Sequence, residues 1–211
     1  MKEEGHDDRV RVEKVEVLSD NHYVLSKATF AYRRADGSWE TQVRESYDRG
    51  NGATILLYDL ARQTVVLTRQ FRYPAMANPD GGSDGWLLEA PAGLLDDAAP
   101  AERIALEAEE ETGFRPREIR EVFSAFMSPG SVTERLHFFV AAYTADDRVS
   151  AGGGVAGSGE DIEVLEPTID AALAMVETGE IADAKTILLL QFAAMRLFGE
   201  QGAGSEEEGL T

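Results

Sequence analysis

The chain has 211 residues, no cysteine, and 39 Asp and Glu against 20 Lys and Arg, for a formal charge of −19. That charge repels a polyphosphate backbone and argues against nucleic-acid binding, and the missing thiols exclude disulfides, thiolate metal centres and cysteine nucleophiles. No apolar run approaches the roughly 18–20 residues of a membrane helix, and the acidic first residues have no apolar stretch to serve as a secretion signal, so a cytoplasmic protein with no membrane partner is expected.

Taken in chain order, Val10–Val17 alternates apolar and charged residues, and His22–Arg34 and Trp39–Tyr47 follow around the turn Ala35-Asp36-Gly37-Ser38. This predicts a small antiparallel sheet. One face of such a sheet is apolar and needs cover from the rest of the chain or from a second copy. Arg49-Gly50-Asn51-Gly52 breaks the pattern. The expected organisation is an N-terminal β-sheet module over 1–49, a larger domain over 50–199, and a disordered acidic tail over 200–211.

Within the larger part, strands are expected at Ala53–Tyr58, Thr64–Phe71, Trp86–Leu88, Arg120–Met127, Leu136–Thr144 and Glu163–Glu166. Helices are expected at Pro100–Thr112, closed by Gly113, and near Thr168–Gly179 and Asp183–Phe198. Strands and helices interleave without a regular repeat, which predicts a mixed sheet sandwiched by helices. The run Ala151–Gly159 reads as mobile, either a plain linker or a functional loop; without Gly-Lys-Ser/Thr it is not a phosphate-binding P-loop. His137, between Leu136 and Phe138, reads as a packed core histidine.

The informative segment is Gly93–Phe114, GLLDDAAPAERIALEAEEETGF. With Glu107 at the origin and about 100° per residue, Glu111 lies at about 40°, Glu110 at about 300° and Arg103 at about 320°. Ala101, Ile104, Ala105 and Ala108 form the packing stripe beside them. Like charges at these spacings destabilise a helix, so the pattern is either a solvated acidic face or a site for a hard cation such as Mg²⁺.

This segment resembles the signature box of the Nudix hydrolases, in which a Gly is followed by a loop and a helix of R-E-x-x-E-E-x-G character. Gly93 and Glu107–Gly113 (EAEEETG) keep the pattern, whereas Leu106 stands at the usual Arg, Ala99 near the usual loop Glu, and the box is one residue short. The shortened box is similar to that of the bacterial GDP-mannose pyrophosphatases. The likeness extends through Leu18-Ser19-Asp20-Asn21, Arg44-Glu45, Val65–Arg72, Ser128-Pro129-Gly130 and Glu160–Leu165, from about residue 14 to 198.

The resemblance implies a Nudix-type α/β (α+β) fold, an α/β/α sandwich with a mixed sheet behind a small N-terminal antiparallel sheet, assembled as a homodimer. It also implies Mg²⁺-dependent hydrolysis of the pyrophosphate of a nucleotide sugar, with Mn²⁺ as a substitute metal. GDP-mannose is the first substrate and ADP-ribose the second; a catalytically inactive nucleotide-sugar sensor is the remaining alternative. Carried over by position, Glu107, Glu111, the Ala92 carbonyl and Glu160 are implied metal ligands, and Glu107, Glu110, Glu111 and Glu160 implied catalytic residues. His22, Arg44, Glu45, Arg72, Ala92, Gly93, Leu94, Glu134 and Lys185 are implied substrate contacts. The general base stays open among Glu160, Glu110 and the metals alone. In the usual box the Arg steadies the glutamates; Arg103, one turn before Glu107, is expected to stand in for it by an i,i+4 contact.

Overall fold

The computed structural model describes residues 8–80, 82–155, 157, 159 and 161–199. The chain divides into two units, one of Met1–Asn51 with Phe126–Arg135 and one of Gly52–Ala125 with Leu136–Thr211.

In the first unit, the alternating segments form an antiparallel sheet of β1 (Val10–Asp20), β2 (Val24–Arg33) and β3 (Trp39–Asp48), in that order. The register shifts between Val12 and Lys14, leaving Glu13 as a bulge. Because side chains alternate across a strand, that extra residue brings Val12 and Val15 to the same face, with Val17 beyond them. Arg44 lies in the Val15 and Ala28 row of that face, and Glu45, its neighbour along β3, points to the other. The 126–135 segment joins this unit through the Val132–Tyr47 bridge, with Tyr47 N–H donating to the Ser131 carbonyl at 2.8 Å.

The second unit is built on a seven-stranded mixed sheet. Its strands are β4 (Gly52–Asp59), β5 (Thr64–Phe71), β6 (Trp86–Glu89), β7 (Ala92–Leu94), β8 (Arg120–Phe126), β9 (Arg135–Ala142) and β10 (Glu163–Leu165). The main order is β10-β5-β4-β9-β8, with β6 added to β5 and β7 to β4. β4 runs parallel to β9 and antiparallel to β5 and β7.

Among the described residues four α-helices accompany this sheet: α1 (Tyr73–Ala77), α2 (Pro100–Thr112), α3 (Ile169–Thr178) and α4 (Ala184–Ala193), the last continuing into a π-helical turn at Ala194–Phe198. β4 is buried on both faces, as a strand between two helical layers must be. On one side Ile55 and Leu57 join Ile104 and Ala108 of α2 in a core that includes Phe114, Phe139 and Tyr143. Burying a side chain such as Ile104 contributes about 1.5–3 kcal/mol, so this face fixes how α2 is rotated over the sheet. α4 packs over β4 and β6 through a stretch containing buried Leu189 and Leu190. The fold is thus a Nudix-like α/β arrangement. Among the described residues no helix is long and apolar enough to cross a membrane.

α1 and β7 were not expected from sequence. β7 is three residues long, and α1 is a single Pro-initiated turn too short to show a period. His137 is half-buried rather than a core residue, and its Nδ1 lies 2.7 Å from Glu121 Oε1. The strand carrying it buries Leu136 and Phe138 instead.

Candidate active site

The rotation of α2 decides which of its carboxylates are sheltered. Pro100 starts the helix and Gly113, at φ 78°, ends it in the left-handed conformation that only glycine adopts without strain. Ile104 and Ala108 anchor the helix, and Glu107 and Glu111 lie beside them at 8% and 4% exposure. Glu110 is exposed. Glu109 turns away and pairs with Arg115 at 2.8 and 2.9 Å. The expected packing stripe is therefore narrower than the sequence suggests: Ala101 is exposed and Ala105 only partly covered.

β7 lays the start of the box along β4, with Ala92 opposite Thr54 and Gly93 opposite Ala53. Thr54 Oγ1 and the Ile55 N–H both donate to the Pro91 carbonyl at 3.0 Å, fixing the chain just before Ala92. The Glu107 side chain lies directly over Gly93, in space that a Cβ at that position would occupy. Arg103 donates through Nε to the Leu94 carbonyl at 3.2 Å, and its Nη2 pairs with Glu107 Oε1. The expected i,i+4 contact is thus made: Arg103 ties the Glu107 carboxylate to the loop, while Leu106 is exposed.

These donors fit a hard divalent cation. Two buried carboxylates one helical turn apart are oxygen ligands of the right type, and Gly93 leaves the cradle in which one of them sits. Among the described residues no three acidic or histidine side chains converge on one point. A fuller set would therefore draw on the Ala92 carbonyl and on Glu160, which lies outside the described residues.

The cationic side of the site is organised by a residue that the sequence did not single out. Arg72, at the junction of β5 and α1, donates through Nε and Nη2 to the two oxygens of Glu89 at 2.8 and 2.9 Å. Lys185, in the first turn of α4, donates to Glu89 Oε2 at 2.5 Å and lies 3.0 Å from Asp183 Oδ2. Asp183 caps α4 by accepting from the Thr186 N–H at 3.0 Å and hydroxyl at 2.6 Å. The same hydroxyl oxygen accepts from the Ala90 N–H at 2.6 Å. The start of α4 is thereby tied to the link between β6 and β7.

Glu89 is 2% exposed. Burial alone would raise its pKa, but Arg72 and Lys185 outweigh it and hold the carboxyl below its ordinary value. Burial opposes the charge on Arg72, and Glu89, Glu111 and Asp183 more than compensate, keeping it protonated. Glu111 adds to the pull of Glu89 on Arg72, so the end of the carboxylate helix lies within electrostatic reach of this cation. A lone acid ending the apolar strand Trp86-Leu87-Leu88 reads as an exposed terminus, and no spacing signal distinguishes it.

The first glycines after Ala151 are anchored, not a plain linker. Gly153 and Gly154 donate to the carbonyls of Glu111 and Glu110 at 2.8 and 3.1 Å, closing the end of α2. Gly152, at φ 72°, lies so close to the Glu111 carbonyl and the Gly113 amide that a Cβ would clash with both.

The remaining expected contacts lie in the first unit. His22 is exposed in the β1–β2 turn, its ring centroid 4.3 Å from that of Tyr23. Arg44 donates to the Val43 carbonyl at 2.8 Å and to Gln42 Oε1 at 3.0 Å, Glu45 is exposed, and Glu134 lies 3.5 Å from Arg49. Arg72, Ala92, Gly93, Leu94, Glu107, Glu111 and Lys185 belong to the second unit, where the contacts above join them.

Residues 9–47 match the family described as the GDP-mannose pyrophosphatase NudK N-terminal domain. A GDP-mannose pyrophosphatase of Pectobacterium atrosepticum is 54% identical over 185 residues, covering 88% of this chain and 93% of that protein. Those of Citrobacter koseri and Escherichia coli O157:H7 are each 50% identical, covering 87% and 86% of this chain and 94% and 93% of theirs. The crystal structure of an ADP compounds hydrolase matches with a TM-score of 0.68 over 93% of this chain and 98% of that one; at 14% identity this is a likeness of fold.

Proposed function

The chain belongs to the GDP-mannose pyrophosphatase family of Nudix hydrolases, and from that premise we propose that it hydrolyses GDP-mannose to GMP and mannose 1-phosphate in a Mg²⁺-dependent reaction in the cytoplasm. The observation that carries the reading is the pairing, in one site, of two sheltered carboxylates on α2 with the Arg72 and Lys185 cations held by Glu89. Carboxylates alone fit any cation-binding helix; carboxylates beside fixed phosphate-binding donors fit a metal-assisted pyrophosphatase.

Glu107 and Glu111, with the Ala92 carbonyl and Glu160, are the residues we assign to Mg²⁺. When bound, Mg²⁺ would neutralise pyrophosphate charge and lower the pKa of a coordinated water. Arg72 and Lys185 orient the phosphates. Glu110, exposed one residue before Glu111, is proposed with Glu160 as a candidate general base, the metals alone being the remaining reading. From the first unit, His22, Arg44, Glu45 and Glu134 are the proposed contacts to base or sugar.

A homodimer is part of the same proposal. Val12, Val15 and Val17 are exposed together along one face of the small sheet, which calls for cover by a second copy. A substrate panel with Mg²⁺ tests the function: kcat/KM should be highest for GDP-mannose, with GMP as the nucleotide product. Preference for ADP-ribose would reject the assigned substrate, and failure to cleave any nucleoside-diphosphate sugar would reject the reading.

A further inference from the structure

We propose that Glu89 is a positioning residue for substrate binding, a buried carboxylate that locks Arg72 and Lys185 in the orientation that receives the pyrophosphate. The inference rests on the pyrophosphatase reading above and adds a residue to it.

The geometry shows what Glu89 does to each cation. Arg72 spends its Nε and one Nη2 proton on the two Glu89 oxygens in a fork, at 2.8 and 2.9 Å. This fixes the guanidinium plane and leaves three of its five N–H groups for a ligand. Lys185 donates one of its three N–H groups to Glu89 at 2.5 Å and is ion-paired with Asp183 at 3.0 Å, so both contacts hold its ammonium in place. Lys185 is 13% exposed and Glu89 2%, so neither relaxes freely into water, whereas Arg72 is 41% exposed and accessible to a ligand. The anchor is itself rigid, because Thr186 and Asp183 pin the start of α4 to Ala90, the residue after Glu89.

Charge argues in the same direction. Arg72 and Lys185 are matched by Glu89 and Asp183, so the cluster offers no net positive charge to a phosphate. If these cations served only by their field, Glu89 would work against them, and removing its charge would tighten binding. If they serve by direction, removing it would free them and weaken binding. The two accounts predict opposite signs for one substitution.

The test compares the parent with Glu89→Gln, Arg72→Lys, Arg72→Ala and the double variant Arg72→Ala/Glu89→Gln. Steady-state kinetics are read on whichever nucleoside-diphosphate sugar the parent cleaves best, alongside thermal unfolding. Glu89→Gln should raise KM by about tenfold or more and lower kcat by less. Arg72→Lys keeps the charge and a partner for the buried carboxylate but loses the fork, and should raise KM similarly. In the Arg72→Ala background the effect of Glu89→Gln should shrink to the part that acts through Lys185. A Glu89→Gln KM at or below the parent's, or an undiminished effect in the Arg72→Ala background, overturns the proposal. Should Glu89→Gln fail to fold, a parent-like KM for Arg72→Lys overturns it by itself. A parent that cleaves ADP-ribose but not GDP-mannose would defeat the substrate reading alone, and the variants are then compared on ADP-ribose.

Discussion

Glu107 folds its side chain over Gly93, filling the volume that any other residue at 93 would claim for its own Cβ. Gly93 is not in the left-handed region, so alanine there strains no backbone. What alanine displaces is the flexible end of Glu107. Gly93→Ala should therefore fold, with a stability change within about 1 kcal/mol, yet lose at least about a hundredfold in turnover as the carboxylate is pushed from its seat. Thermal unfolding and initial rates on the same preparation check both halves. Turnover within a fewfold of the parent would mean the contact has no catalytic consequence.

Arg103 is the second hold on the same carboxylate, bridging Glu107 to the Leu94 carbonyl. A residue that steadies a metal ligand typically contributes tenfold to a hundredfold in metal affinity. Arg103→Ala should accordingly weaken Mn²⁺ binding by about tenfold or more in a calorimetric titration, with the fold intact. Unchanged affinity would show that Leu106 stands at the box position without needing a substitute.

How much of this was legible beforehand depended on range. The 13 residues of α2 were readable because Pro100, Gly113 and the 3.6-residue period are local signals. The carboxylates followed from the same helix geometry. Glu89 was not readable, because its meaning comes from Arg72 and Lys185, the latter 96 positions away. The anchoring of Gly153 and Gly154 on α2 was hidden for a related reason. A glycine run advertises freedom, and only the tertiary fold shows which carbonyls its amides meet. In the small sheet, alternation gave the strands, but the Glu13 bulge that aligns the valines is a matter of register.

Those valines carry the third prediction. A sheet face exposing Val12, Val15 and Val17 should be covered by a second copy. Light scattering at micromolar concentration is expected to give about twice 23.0 kDa, and Val15→Lys should shift the protein toward monomer. A fully active parent that is monomeric at that concentration contradicts the assembly.

Glu89 also leaves a signature in acid. Its carboxyl is held below the ordinary value of 4.5, with burial overcome by Arg72 and Lys185. A carboxyl with a depressed folded pKa contributes stability that is present above the unfolded value and lost as pH falls through the folded one. The stability gap between parent and Glu89→Gln should be widest near neutrality and narrow steadily as the pH drops below 4.5. Chemical denaturation across that range checks the sign; a gap that widens in acid would be incompatible with the ion pairs described.

The central claim is that the sheltered carboxylates of α2, and not its acidity in general, drive cleavage of GDP-mannose. Glu→Gln changes at 107, 111 and 109 each remove one charge with almost no change of shape. Glu107 and Glu111 are buried at the site, and Glu109 is turned away and paired with Arg115. Release of GMP and mannose 1-phosphate, measured side by side under saturating Mg²⁺, decides the matter. Glu107→Gln and Glu111→Gln should each fall at least about a hundredfold, or about 2.7 kcal/mol of barrier, while Glu109→Gln stays within a fewfold of the parent. Equal and modest losses at all three positions, or cleavage of GDP-mannose to products other than GMP and mannose 1-phosphate, would contradict it.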